Sequence, residues 1–292
     1  MLKSFYLIWG IGVFLVFWFF WYFFSGNQNI IFAYPNGEEV FFAGEGVNIW
    51  EGNYYNKERF DKEFLISGNN LYQFYLYIKR YPLYIPYIEE KLEKAGIPED
   101  FKYLPIAESA LREDVISWAG AAGIWQFMPE TAKRYGLRID EQIDERYNFE
   151  RATDSALTYI QDLYDIFGNW TLAAAAYNRG ENGLKKDMQS QKVDNYYDLY
   201  LNDETSRYVF RILAIKYLIE SYETSKNVFD KIIGGVYKKP NIDIVEISGP
   251  QKLLDWSLQN GYMYRDVRML NRWILWDTLP EGKWKIRVPQ KN

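Results

Sequence analysis

Apolar and polar residues follow each other along this chain in three rhythms, and each rhythm predicts a different kind of element. Between Phe5 and Phe24 there is no polar interruption: Phe, Trp, Leu, Ile, Val and Tyr run on, with Gly10 and Gly12 the only small residues. About 20 such residues are enough to cross a bilayer as a helix. Further on, apolar positions recur at intervals of three and four. Leu71, Phe74, Tyr75 and Ile78 mark one helix over residues 70–80, and Tyr84, Ile88 and Leu92 mark another that stops at Gly96. Ala156, Ile160, Leu163, Tyr164 and Phe167 line one face of a third, over residues 153–167, ended by Gly168. Trp170 opens a fourth. Near the carboxyl end the rhythm becomes an alternation, at residues 242–247 and again at 283–288, which predicts strands flanking short helical pieces around Asn260 and Gly261. The stretch 26–46 is polar, holds Pro35 and glycines and keeps no period, so it is expected as a linker, with short strands at Ile31-Phe32-Ala33-Tyr34 and Val40-Phe41-Phe42 as the alternative.

One carboxylate falls inside an apolar window. Pro98, Glu99 and Asp100 have the chemistry of a helix start, and Leu104, Ala107, Ala110 and Leu111 then share a face. That puts Glu108 beside the buried stripe near the helix end. A carboxyl there is poorly hydrated; desolvation raises its pKa and suits it to hold a proton near neutral pH as a general acid. The alternative is a solvated Glu at the edge of the stripe.

Composition narrows the chemistry. The 292 residues contain no His and no Cys. Nucleophile mechanisms that need a His base, His-ligated zinc, disulfides, thiolates and a lipid-modified amino-terminal cysteine are therefore excluded. A formal charge of -5 argues against a nucleic-acid partner, which would call for a basic face. Aromatic residues make up 19%, a supply of flat rings with polar edges of the kind that sugar clefts use. Lys3 precedes the apolar run while Glu38 and Glu39 are the first charges after it, so the positive-inside rule places the amino terminus in the cytoplasm and the body outside. A signal peptide would end in small alternating residues; Phe23-Phe24-Ser25 does not, which favours a retained single-pass anchor in the cytoplasmic membrane over residues 1–25.

Four motifs occur in order: Glu108-Ser109; Ser117-Trp118-Ala119-Gly120-Ala121-Ala122-Gly123-Ile124-Trp125-Gln126; Ala176-Tyr177-Asn178; and Glu204-Thr205-Ser206-Arg207-Tyr208-Val209. Together they resemble the lytic transglycosylases with a soluble-transglycosylase, lysozyme-like domain. Tyr135-Gly136-Leu137 and Asp144-Glu145-Arg146 make the chain most similar to the membrane-bound D type of that family. The resemblance implies a mainly α fold: a lysozyme-like catalytic domain with a helical extension at 47–225, and a small α+β, degenerate LysM-like module at 241–292. It implies a peptidoglycan lytic transglycosylase with Glu108 as sole acid/base, cleaving the MurNAc-GlcNAc bond to a 1,6-anhydro product with no metal or cofactor. Ser117, Gln126, Tyr177, Asn178, Glu204 and Tyr208 carry over as substrate-binding residues, Tyr177 as a neighbour of the catalytic carboxyl. Trp125 stands where the family has Met, as a core anchor or a sugar contact, and the carboxyl-terminal module either binds glycan or braces the domain. Two other readings stand beside this one. A hydrolytic muramidase of the goose-lysozyme type would use Glu113, Asp114 or Glu204 as base; a non-catalytic peptidoglycan-binding scaffold would use none.

Overall fold

The computed structural model of the chain describes residues 34–35, 40–47, 49, 54–224 and 226–291. The expected anchor between Phe5 and Phe24 lies outside the described residues, and among the described residues no helix is long and apolar enough to cross a membrane.

The body opens with a hairpin, β1 (Val40–Phe42) and β2 (Glu45–Val47), where the sequence predicts linker. Ala43 and Gly44 make the turn with positive φ of 54° and 79°, the geometry that a two-residue hairpin loop requires. Val40, Phe42 and Val47 are buried while Phe41 faces out, the period of two of strands with one buried face. Helix α1 (Tyr54–Asn69) follows and packs along the later helix at Asp203–Thr224. Helix α2 (Leu71–Ala95) is one 25-residue helix rather than the two that Pro82 and Pro86 suggest. Each interior proline removes a hydrogen bond and costs up to about 3 kcal/mol. Phe74, Ile78, Ile85, Ile88 and Leu92, all buried, form an unbroken stripe across both prolines whose burial offsets that cost.

A 3₁₀ turn (Glu99–Tyr103) leads into α3 (Leu104–Ser109), then α4 (Pro129–Arg134), α5 (Phe149–Phe167), α6 (Trp170–Arg179), α7 (Glu181–Gln191), α8 (Asp203–Thr224) and α9 (Lys226–Ile233). Caps fix the boundaries. The Asn148 side chain accepts from the Arg151 amide and starts α5 four residues earlier than its periodicity suggests, and Asn169 does the same for α6 through Leu172. Glu45 of the hairpin adds to that second cap, accepting from the Trp170 and Thr171 amides at 2.7 and 2.9 Å. Helix α8 is buried on every side over Tyr208, Val209, Phe210, Ile212, Leu213, Ala214 and Ile215, and is the central helix against which α1 and α6 pack.

The carboxyl-terminal segment pairs β3 (Ile242–Lys252) antiparallel with β4 (Thr278–Pro289), with α10 (Leu253–Gln259) and α11 (Tyr264–Leu270) between them. Its core of Ile247, Leu253, Val267, Ile274, Leu279, Ile286 and Val288 includes Ile143, a residue of the body inserted among them. Backbone bonds run on either side of that residue, from the Asp144 amide to the Trp273 carbonyl (2.9 Å) and from the Leu275 amide to the Gln142 carbonyl (2.8 Å). Segment and body therefore share a core. Ile143→Ala is expected to cost about 2–5 kcal/mol in urea unfolding, with one transition retained; a loss under 0.5 kcal/mol would show that the shared core adds nothing.

Candidate active site

Two constraints set the position of Glu108. Pro105 stands in the first turn of α3, and the helix stops after about one and a half turns because Ala110 and Leu111 both take left-handed backbone, at φ 57° and 58°. For residues with a side chain each such conformation costs about 1–2 kcal/mol. Leu111, 1% exposed, repays it by burial, and the Arg80 guanidinium donates to the Ala110 carbonyl at 2.9 Å. Glu108 is thus held in the last turn of a helix that cannot run on.

Facing it is the loop between α3 and α4, tied to α3 where the Ser109 hydroxyl meets the Ile124 carbonyl at 2.8 Å. Gly123, at φ 78°, comes so close to the Arg146 carbonyl that a Cβ would lie 1.9 Å from its oxygen, so only glycine fits. Arg146 itself is buried, paired with Asp144 at 2.7 Å, and donates to the carbonyls of Gly120 (2.7 Å) and Phe127 (3.1 Å). The Asp144-Glu145-Arg146 motif is the internal clamp of this loop. Ser117 accepts from the Ala121 amide at 3.0 Å, and Gln126, at φ 50°, donates to the Gly123 carbonyl at 2.7 Å. Trp125 is fully buried with its indole N–H on Thr153 at 3.0 Å, which makes it a core anchor.

Helices α6 and α8 supply the remaining groups. Tyr208, 1% exposed, donates its hydroxyl to Oε1 of Glu108. Tyr177 donates instead to the Trp125 carbonyl at 2.7 Å, so the phenol bonded to the carboxyl is the one on α8. Asn178 bridges to α8 twice, donating to Glu204 at 3.3 Å and accepting from the Thr205 hydroxyl at 2.8 Å. Among the expected residues, then, Glu108 and Tyr208 touch, as do Asn178 and Glu204, while Ser117 and Gln126 brace the facing loop.

Burial is the largest influence on Glu108 and pushes its carboxyl up to about 7; the Tyr208 hydrogen bond and the Arg211 cation pull it down, and the Glu204 carboxylate adds to the rise. Burial likewise drives the Tyr177 and Tyr208 phenols well above their ordinary range, so both remain donors at neutral pH. Arg211 was not singled out by sequence reasoning. Its position three residues after Tyr208, on the same helical face, is the signal that could have found it. Glu113 is also pushed up to about 7, by burial first, against the pull of Arg287.

Residues 86–199 match the model of the transglycosylase SLT domain. The chain is 35% identical over 215 residues to the membrane-bound lytic murein transglycosylase D of Escherichia coli (strain K12), an alignment covering 72% of this chain and 47% of that protein. The chain thus spans about half the length of that curated relative. Among solved structures, the 70 kDa soluble lytic transglycosylase of Escherichia coli superposes with a TM-score of 0.43 at 22% identity, over 58% of this chain and 29% of that one.

The raised carboxyl makes a stability prediction. A folded-state value of about 7 against 4.5 means that the folded chain holds this proton more tightly than the unfolded chain. That contribution is complete below pH 4.5 and is lost as pH rises through 7, up to about 3 kcal/mol. Glu108→Gln, which cannot ionise, is expected to gain stability relative to the parent between pH 4 and pH 8, measured as the difference in Tm at the two pH values. An equal difference at both would refute the raised carboxyl.

Proposed function

We propose, from the premise that the chain carries a transglycosylase SLT domain, that it is a peptidoglycan lytic transglycosylase with Glu108 as its single acid and base. The observation that carries the reading is the environment of that carboxyl: half-buried, held near pKa 7, and bonded at Oε1 by a phenol that stays protonated. With Oε1 taken, Oε2 bears the proton. It is delivered to the oxygen joining N-acetylmuramic acid to N-acetylglucosamine, and the C–O bond on the muramic side breaks. The substrate's acetamido group shares the positive charge left at the anomeric carbon. Glu108, now a carboxylate stabilised by Tyr208, takes the proton of the sugar's C6 hydroxyl as that oxygen closes the 1,6-anhydro ring. Proton and electron count balance without water.

The other carboxylates named as bases have different engagements. Glu113 is paired with Arg287 at 3.7 Å, and Asp114 with Arg112 at 3.2 Å and Arg272 at 3.5 Å. Glu204 is exposed and held by Asn178. These partners favour transglycosylation over hydrolysis. Ser117, Gln126, Tyr177, Asn178 and Glu204 line the glycan subsites in this reading, and the segment between Phe5 and Phe24 ties the enzyme to the cytoplasmic membrane with its catalytic domain outside. Because its core is continuous with the body, the 241–292 segment acts as a brace on the 47–225 catalytic domain.

The full-length chain incubated with purified peptidoglycan should release muropeptides lighter by one water than their reducing counterparts, as read by mass spectrometry. Reducing ends would mean hydrolysis, and no release with retained binding would mean a scaffold. Glu108→Gln should lower the rate by at least about 100-fold. In the parent, kcat/KM should fall above a midpoint near pH 7, because the acid must hold its proton.

A further inference from the structure

Arg211 is a cation that works against the catalytic acid. Tyr208 and Arg211 share one face of α8, and the guanidinium is near enough to Glu108 to pull its carboxyl towards the charged form. A direct ion pair between them would lower that carboxyl by a further ~1–3 units and leave it ionised at neutral pH. No such pair forms among the described residues. Nε of Arg211 donates instead to Oε2 of Glu63 at 3.2 Å, and Oε1 of Glu63 accepts from Nη1 of Arg207, whose other arm meets Asp203 at 2.6 Å.

Glu63 lies on α1, outside the 86–199 domain match, and its side chain is 3% exposed. Burying a carboxylate that far costs several kcal/mol unless good partners compensate. Both of its oxygens face guanidinium groups of α8. A charge so placed calls for a reason beyond packing α1 onto α8, since an apolar residue would pack there without that cost.

We propose that Glu63 is a positioning residue for the reaction: it tethers and neutralises Arg211 on the α1 side of α8, so that the cation does not pair with Glu108. The inference rests on the reading of Glu108 as the acid. The groups that face the Glu108 carboxyl are Tyr208, Arg211 and Glu204 from α8 and Tyr177 from α6. Of these, Arg211 is the one whose position a residue of α1 controls.

Glu63→Gln keeps the shape and removes the charge. In the full-length chain, the alkaline midpoint of kcat/KM should move down by about 1 pH unit or more. The acid-side plateau should stay within about twofold of the parent. Adding Arg211→Met should return the midpoint to the parental value or above it. Arg211→Met alone should raise it, and this variant tests the inference even where Glu63→Gln fails to fold. Uniform loss at every pH with an unmoved midpoint is the signature of mere packing and would overturn the proposal. The carboxyl resonance of Glu108, assigned by its disappearance in Glu108→Gln and titrated by ¹³C NMR without substrate, separates the two levels. If it shifts as described while the parent releases no muropeptide, the functional reading fails and the positioning role stands. If the parent is active and the resonance does not move in either variant, the positioning role fails alone.

Discussion

The retention of one proton on Glu108 at neutral pH is the constraint that the surrounding structure serves. Burial alone raises a carboxyl but leaves it without orientation; a strong donor orients it but favours ionisation. Tyr208 resolves this conflict. Its hydroxyl fixes Oε1, and since its own burial keeps the phenol from ionising, the contact is a neutral hydrogen bond rather than a charge pair. Burial remains the larger influence, and the carboxyl stays near 7. The same contact becomes favourable once the proton has left, because a hydrogen bond to a carboxylate is stronger than one to the neutral acid. In the proposed reaction, one bond would thus hold the acid in place before transfer and stabilise its conjugate base afterwards.

Such an arrangement needs walls that do not yield. Three residues with side chains, Ala110, Leu111 and Gln126, take left-handed backbone around the site. Strain of this kind persists only where neighbours over-determine the geometry. Here Arg80 holds the Ala110 carbonyl, Arg146 holds Gly120 and Phe127, and Ser109 joins the two sides. Buried Arg146 is itself paired with Asp144, so the clamp adds no uncompensated charge to the interior.

Much of this was legible in the sequence, and the parts that were not share a cause. The position of Glu108 near a helix end and the amphipathic face of α5 are local properties of spacing and capping. Of the hairpin at residues 40–47 the sequence offers only the first strand, at 40–42, because three-residue strands give almost no period, and its strongest anchor, Glu45 on the start of α6, spans 126 residues to Thr171. Helix α2 was split at Pro82 and Pro86 because proline's local cost is visible and the buried stripe that overcomes it is tertiary. Likewise, nothing local distinguishes Tyr177 from Tyr208 as the phenol on Glu108. The packing of α6 turns the first towards Trp125 and the packing of α8 turns the second towards the acid. Glu63 and Arg211, 148 residues apart, were beyond reach for the same reason.

The carboxyl-terminal segment acts on the same short stretch of chain from the other side. Five residues after Glu108, Glu113 is buried against Arg287 of β4, which also pairs with Glu150 of α5, while Arg272 reaches Asp114. Arg287 is fixed in turn: its amide donates to Asn271, a fully buried side chain that donates to the Arg287 carbonyl. The two acids that follow α3 thus each meet an arginine of the carboxyl-terminal segment, Asp114 sharing itself with Arg112 of the body as well. The charges that act on the Glu108 carboxyl are then Arg211 and Glu204, both of α8, while Glu113 and Asp114 are engaged with the segment whose core closes around Ile143.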